Sequence, residues 1–303
     1  MTFEDQILRN RRLTFLIIFL FSLFIIGIGF VFGLGLWGSW EAGLVAVAIA
    51  LILSVTLSLS SYYGGKKLVL AASHAQKVDG HHNRQLLNVV EEMSIASGLP
   101  MPEVYVINDS APNAFATGRD PQHAAIAVTT GLLDKLTRDE LTGVIGHEMS
   151  HIKNFDIRYM MIMGVLVGLV ALLSDFVLRS FFWGGRRRSR SNNNGGGGAI
   201  FFIILALVLA ILAPIISKLI QLAVSRKREF LADASAAQLT RYPDGLASAL
   251  AKISGDPEVL EVANRATQHL YIVNPIKSFE ARAKTLFSTH PPIAERIRRL
   301  KTM

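Results

Sequence analysis

The sequence contains no cysteine and has few charged residues. Without cysteine, the 303-residue chain cannot form disulfides, cysteine-bound iron–sulfur clusters or thiolate zinc fingers, so any bound metal must be held by His, Asp or Glu. Charged residues make up 18% of the chain, against about 25% in soluble domains. None occurs in residues 13–40 or 42–65. A disordered tail, a collagen-like fibre and a disulfide-stapled module are therefore excluded, and a purely soluble enzyme is disfavoured.

Four hydrophobic runs divide the chain. Residues 13–37 and 42–63 each exceed the roughly 20 apolar residues needed to cross a bilayer, and the short connection between them predicts a membrane hairpin. Residues 159–183 and 199–217 form a second pair, which either crosses the bilayer fully or forms a shallow, re-entrant hairpin. The sequence therefore predicts four membrane helices.

The soluble part of the chain is split by these runs. Helical apolar spacing in residues 85–97 and strand-like alternation in residues 103–108 and 123–129 predict an α+β, mainly α-helical domain with a small β-sheet. The predicted division is an N-terminal hairpin, the first part of the soluble domain, a second hydrophobic hairpin and the second part of the domain, at residues 1–65, 66–158, 159–221 and 222–303.

Basic residues flank the first hairpin. Three arginines in residues 9–12 precede it, and Lys66 and Lys67 follow it, so the positive-inside rule places the N-terminus and the soluble domain in the cytoplasm. The arginine-rich stretch GGRRRSRSNNNGGGG at residues 184–198 is interpreted as a solvated loop, with a lipid-headgroup patch as the alternative. No nucleic-acid-binding motif is visible, so the net charge of +8 implies no nucleic acid partner.

A metal-binding motif occurs within residues 137–154, TRDELTGVIGHEMSHIKN. A capping box at the start of this stretch marks the beginning of a helix. On that helix His147, Glu148 and His151 form an H-E-x-x-H motif, in which both imidazoles reach one metal ion and the glutamate lies beside a metal-activated water. The alternative is a set of ordinary polar residues on a surface helix.

A third metal ligand should come from a different segment. Glu229 and Asp233 lie at i and i+4 in SRKREFLADASA, on a predicted helix. One carboxylate can therefore bind the metal while the other holds a ring nitrogen of a ligand histidine. Alternatively, Glu229 pairs with a neighbouring arginine.

The H-E-x-x-H motif followed by E-x-x-x-D resembles the gluzincin metallopeptidases. With its hydrophobic pairs, the whole chain resembles the HtpX family of bacterial membrane proteases, which is related to the CAAX prenyl proteases. Besides the N-terminal hairpin, the resemblance is carried by PNAFATG (112–118), AIAVTTGLL (125–133), GHEMSHIKNFD (146–156), REFLADASA (228–236) and STHPP (288–292).

The resemblance implies a site built around one zinc ion per chain. His147, His151 and Glu229 would bind the zinc, and Glu148 would be the general base that takes a proton from water.

Three further residues have implied roles around the zinc. Asp233 would orient a ligand histidine, and Asp156 would have a structural role or support a ligand from outside. His290 in STHPP would be the oxyanion donor, with a turn or capping role as the alternative.

Substrate contacts are expected on a sheet edge above the zinc helix, where an extended peptide adds as a further strand. Ala125, Ala127 and Thr129 are expected on this edge strand, with Asn113 and Ala114 holding the substrate backbone on the other side. The alternative is that this strand is an ordinary core strand and that NAFATG, residues 113–118, is a tight turn.

The order of the segments places the metal close to the cytoplasmic membrane face, because the H-E-x-x-H helix runs into the third hydrophobic run and Glu229 follows the fourth. The resemblance implies a multi-pass endopeptidase of the bacterial inner membrane that hydrolyses misfolded or damaged membrane proteins. Its partners would be protein substrates and the lipid bilayer. Its cleavage preference and oligomeric state stay open.

Three other classes fit the sequence less well. An intramembrane protease of the site-two type carries its H-E-x-x-H motif in lipid, whereas this motif helix also carries Arg138, Asp139 and Lys153. A signalling receptor with a peptidase-like domain would need an added sensor domain. A membrane scaffold with a structural zinc would supply four protein ligands, whereas the predicted site supplies three.

Overall fold

The computed structural model describes residues 3–37, 39–80, 83–166, 168, 226–263, 267–273 and 291–303. Its elements are α1 (Phe3–Trp37), α2 (Trp40–Ala72), β1 (Gln76–Lys77), α3 (Arg84–Ser97), β2 (Glu103–Ile107), β3 (Ala114–Gly118), β4 (Ala124–Thr129), α4 (Thr130–Lys135), α5 (Arg138–Lys153), α6 (Arg226–Thr240), α7 (Pro243–Gly255) and α8 (Ile293–Leu300). Residues 156–166 are also helical. The prediction of a mainly helical α+β fold with a small sheet is confirmed.

The sheet has four strands in the order β1-β2-β4-β3. Strand β4 is an inner strand, since it pairs in parallel with β2 and antiparallel with β3, with Ala125 opposite both Glu103 and Thr117. The expectation that Ala125, Ala127 and Thr129 lie on the edge strand is therefore wrong, because their backbone groups face strands on both sides. The edge of the described sheet on this side is β3.

The core lies between the sheet and a layer of helices. Helix α5 is buried along most of its length, and its Val144 and Ile145 are fully covered. It packs against α3, α6 and α7. The approach to α7 is close, because a Cβ added at Gly143 would lie 2.6 Å from the backbone nitrogen of Leu246. The motif helix is thus the centre of the soluble domain and not a surface helix.

Helices α1 and α2 pack against each other as the predicted N-terminal hairpin. In the part of the chain that the structure describes, α2 is the one helix long and apolar enough to cross a membrane by length and composition, and Arg12–Gly27 is a shorter apolar helix. The fourth hydrophobic run and most of the third lie outside the described residues. Four membrane helices are therefore not confirmed and stay a prediction.

The end of α2 is fastened to the sheet. Lys66 donates a hydrogen bond of 2.6 Å to the carboxylate of Glu103 in β2. This hydrogen bond holds the pKa of Glu103 at about 2, below its ordinary range. A Cβ at Gly65 would lie 3.0 Å from the sulfur of Met161, so the chain that follows α5 also packs closely on α2. These contacts fix the position of the C-terminal part of α2 relative to the sheet.

Candidate metal centre and active site

Helix α5 begins with the predicted capping box. The Thr137 hydroxyl accepts from the Glu140 N–H, and the Glu140 carboxylate accepts from the Thr137 N–H at 2.8 Å. Glu140 also accepts hydrogen bonds from Ser248 at 2.6 Å and Lys252 at 2.8 Å, both on α7. The start of the motif helix is therefore fixed both locally and by α7.

Three metal-ligand groups converge between α5 and α6. The Nε2 atoms of His147 and His151 lie 3.1 Å apart, and carboxylate oxygens of Glu229 lie 3.8 Å and 3.6 Å from these two nitrogens. All three side chains are buried, and one ligand atom from each fits within 4.8 Å of the others. The structure thus brings together the three ligands that the sequence predicts, from two helices that are distant in sequence.

The opposite nitrogen of each histidine faces a carboxylate. His147 Nδ1 lies 3.0 Å from Asp233, one turn after Glu229 on α6. His151 Nδ1 lies 3.0 Å from Asp156. A carboxylate at Nδ1 fixes the ring and directs the Nε2 lone pair towards the other ligands, as in many histidine-bound metal sites.

Arg296 on α8 joins the site, although sequence reasoning did not find it. Its guanidinium is fully buried and donates to both carboxylate oxygens of Asp233, at 2.8 Å and 2.7 Å. It also lies 3.6 Å from Glu229 and donates to the Ile272 carbonyl at 3.0 Å. One signal was available, because Arg296 interrupts the apolar face of Ile293, Ile297 and Leu300.

The contacts of Glu229 agree with a role as a ligand, because its carboxylate faces the two histidines. Its neighbour Arg228 lies over the Tyr159 ring, 5.0 Å from the centroid, and its Nε is 3.6 Å from Asp156. Arg228 therefore supports the carboxylate that holds His151, while Glu229 points to the two histidines.

Glu148 lies between this cluster and the sheet. It is 2% exposed, and burial raises its pKa to about 7. The nearby backbone of Ala116 in β3 acts to lower this pKa and so opposes the rise. Glu148 is thus a buried carboxyl group that titrates near neutral pH and touches the sheet edge.

The two histidines differ in their electrostatics. Burial lowers the pKa of His147. Burial also acts to lower the pKa of His151, but the hydrogen bond to Asp156 and the charge of Glu229 outweigh it and raise that pKa to about 9.

Two of the residues expected to contact substrate, Asn113 and Ala114, make hydrogen bonds within the chain. Asn113 donates through Nδ2 to the Val273 carbonyl at 3.0 Å, and the Ala114 carbonyl accepts from the Ile272 N–H at 3.0 Å. This end of the β3 edge is therefore covered by the chain itself. The part of the β3 edge that lies next to Glu148 is at Ala116. His290, the expected oxyanion donor, lies outside the described residues.

The donor set fits a metal ion of the zinc type. Two imidazole nitrogens and one carboxylate oxygen converge in a buried site, with both Nδ1 atoms held from outside, and zinc accepts such ligands. Two histidines one turn apart on a helix, with a buried glutamate beside them, are the arrangement of an H-E-x-x-H metal-dependent peptidase.

The comparisons with known proteins agree with this class. Residues 80–303 match Peptidase family M48, so the chain belongs to this family, and it is a metalloprotease. The chain is 46% identical over 304 residues to "Protease HtpX homolog" of Dictyoglomus turgidum, covering 100% of this chain and 95% of the relative. The same name is carried by a relative from Listeria monocytogenes serovar 1/2a, 47% identical over 308 residues, with 99% of both chains covered. The family resemblance predicted from the motifs is confirmed.

Solved structures are also similar, among them the "Crystal Structure of S. mikatae Ste24p". The identity is 22% and the TM-score 0.48, and the likeness covers 84% of this chain. The chain spans 57% of that protein.

Proposed function

We propose that this chain is a zinc-dependent endopeptidase, with one zinc ion per chain, that hydrolyses misfolded or damaged membrane proteins at the cytoplasmic membrane face. The observation that carries the zinc chemistry is the convergence of His147, His151 and Glu229 beside the buried carboxyl group of Glu148. When zinc is bound, the chemistry supplied is Lewis acidity, which lowers the pKa of water and polarises a peptide carbonyl.

Glu148 is proposed to move the proton. Its carboxylate takes a proton from the attacking water and passes it to the nitrogen of the leaving amine. The same carboxyl group must therefore accept a proton and then donate it. Because Glu148 lies on α5, which packs against β3, the proposed base and the sheet edge are close together.

The substrate is proposed to pair with the outer edge of β3. An extended peptide that adds to a sheet edge gains main-chain hydrogen bonds without demanding particular side chains. Residues 116–118 are the part of β3 next to Glu148, whereas Asn113 and Ala114 are bonded to Ile272 and Val273. Asn113 and Ala114 therefore mark the end of the proposed groove. His290 stays the proposed oxyanion donor on the strength of the STHPP motif.

The membrane placement is proposed from the hairpin and its flanking charges. Helix α2 is long and apolar enough to span. The basic residues at the start of α1, before its apolar part, and after the apolar part of α2 favour a cytoplasmic N-terminus and catalytic domain in a multi-pass protein of the bacterial inner membrane. A protease at this level reaches loops and unfolded ends of membrane proteins, which supports a role in membrane protein quality control under stress.

The test is cleavage of an unfolded protein by the purified chain and by Glu148→Gln. We expect the variant to lose activity by about 10²–10⁴-fold, the range for loss of a general base, while its zinc content stays unchanged. Glu91→Gln, an exposed glutamate on α3, is the matched control and should keep full activity. Equal cleavage by Glu148→Gln and the unmutated chain would refute the mechanism.

A further inference from the structure

Two arginines and three aromatic rings meet at the end of the apolar part of α2. The guanidinium carbon of Arg119 lies 5.0 Å from the ring centroid of Tyr63. That of Arg158 lies 5.7 Å from the ring centroid of Tyr62 and 4.9 Å from that of Phe155. These five residues form what is here called the arginine–tyrosine cluster. It lies outside the metal site, and the peptidase chemistry does not use it.

The level of the cluster is set by α2. The charge-free residues 42–65 end just after Tyr62 and Tyr63, and tyrosines at the end of an apolar span lie at the lipid headgroups. Lys66 is held by Glu103, and Lys67 is exposed. If α2 spans the bilayer, as proposed above, Arg119 and Arg158 lie at headgroup depth.

The two arginines come from different parts of the soluble domain and are linked to each other. Arg119 follows β3 directly, and Arg158 belongs to the helical residues 156–166. The Nε of Arg158 donates to the Arg119 carbonyl. The cluster therefore ties the sheet and the chain after α5 to the same point of α2.

The guanidinium groups of the cluster are suited to bind an anion. Arg119 also lies 3.4 Å from Asp120 and 2.7 Å from His123, so one carboxylate and one imidazole border the cluster. A guanidinium that lies over an aromatic ring keeps its donors at its edge, in a fork that matches a phosphate. The Tyr63 ring is 63% exposed, and the Arg119 side chain is 23% exposed, so the cluster can be reached from outside.

We infer that the arginine–tyrosine cluster binds the phosphate of an anionic phospholipid headgroup. This inference rests on the proposed membrane placement. Since Arg119 follows Gly118, the bound headgroup would hold the end of β3 at the membrane surface. The edge proposed to receive substrate would then face unfolded segments that leave the bilayer.

The experiment measures lipid retention by the full chain, released from nanodiscs of mixed phosphatidylglycerol and phosphatidylcholine, by native mass spectrometry. We expect the unmutated chain to prefer phosphatidylglycerol by about tenfold, as two cations near an anionic headgroup imply. Arg119→Gln/Arg158→Gln should lose this preference. The control Arg84→Gln/Arg241→Gln, which removes two exposed arginines elsewhere, should keep it.

A further variant and a competition measurement test the same inference. Tyr63→Ala, which removes only an exposed ring, should weaken the preference even if the double variant does not fold. Inorganic phosphate or a soluble acidic peptide that displaces the lipid at low concentration would identify a different anion and overturn the inference, as would unchanged preference in the folded double variant. Retention is measured without catalysis, so loss of the peptidase proposal would leave this result standing.

Discussion

Arg296 is a buried cation beside the carboxylates of the proposed metal site. It lies among Asp233, Glu229 and His147, with its guanidinium 2.7 Å from one Asp233 oxygen and 3.4 Å from His147 Nδ1. Removing one partner of a buried ion pair leaves the other charge without compensation in a medium of low polarity. Arg296 is therefore a positioning residue that holds Asp233 against His147.

We predict that Arg296→Gln weakens zinc binding by about 10–100-fold, the usual effect of losing a group that supports a ligand from outside. Arg296→Lys should be nearly as weak, because an ammonium group cannot donate to both Asp233 oxygens in the same fork. Competition with a chelator of known affinity measures the effect. Arg298→Gln, whose side chain is 74% exposed, is the control, and unchanged zinc affinity in Arg296→Gln would contradict the role.

The residues of the site differ in how far the sequence predicts them. His147, Glu148 and His151 are local, because their spacing on one helix fixes their relation before any tertiary contact forms. Glu229 and Asp233 show the same one-turn spacing, but only the fold brings them to α5. Arg296 comes from a third segment and differs from Arg298 and Arg299 only in its place on the apolar face. That place predicts burial, but it does not indicate that Asp233 is the partner.

At the scale of elements, the contact between α5 and α7 is set by a glycine. A Cβ at Gly143 would lie 2.6 Å from the nitrogen and 2.8 Å from the Cα of Leu246. These are backbone atoms, so α7 as a whole would have to move. One turn later, the atoms nearest to a Cβ at Gly146 would be Thr240 Cγ2 at 3.4 Å, Ala236 Cβ at 3.5 Å and Ala236 Cα at 3.6 Å, which is ordinary contact.

Two substitutions on the same helix should therefore have opposite effects. We predict that Gly143→Ala lowers the free energy of unfolding by about 1–3 kcal/mol through overpacking. Gly146→Ala should raise it by up to about 1 kcal/mol through helix propensity. Thermal unfolding in detergent compares the two variants, and equal shifts would show that the α5–α7 contact is looser than its geometry indicates.

Glu140 makes the same helix pair sensitive to acid. Burial alone would raise its pKa, but hydrogen bonds from Lys252, Ser248 and the Thr137 N–H outweigh burial and lower it. Because the folded pKa lies below the ordinary value of 4.5, the stabilisation is fully present above about pH 4.5 and is lost as the pH falls through the folded pKa.

We predict that Glu140→Gln destabilises the chain at pH 7 by about 1–3 kcal/mol, the range for a hydrogen bond to a charged group. The difference from the unmutated chain should shrink as the pH falls below about 4.5. Unfolding curves at a series of pH values measure this difference. A gap that stays constant down to acid pH would show that the charge of Glu140 is not involved.

The order of the strands in the sheet could not be predicted from the alternation of apolar residues. Alternation in residues 123–129 predicts a strand correctly, but alternation describes the two faces of a strand and says nothing about its neighbours. β4 is flanked by β2 through a parallel crossover and by β3 through an antiparallel turn. Its position inside the sheet depends on this topology, which is why the edge was expected one strand away from where it lies.

At the scale of the molecule, the proposed metal site joins segments that the hydrophobic runs separate in sequence. His147 and His151 come before the third run, and Glu229 comes after the fourth. Their contact, together with that of Arg296 on α8, closes the soluble domain from three separate pieces of chain. A metal bound there would act as a cross-link between α5 and α6, and its binding energy would add to the stability of the whole domain.

We predict that chelation lowers the unfolding temperature of the unmutated chain and of Glu148→Gln alike, because both keep the three proposed ligands. Zinc at one hundred times its dissociation constant contributes about 2.7 kcal/mol, which shifts the midpoint by several degrees. Glu229→Gln should unfold earlier without chelator and respond little to it, since one ligand is missing. If Glu229→Gln loses as much stability on chelation as the other two proteins, the metal is held by other residues, and the pairing of α5 with α6 around it would have to be abandoned.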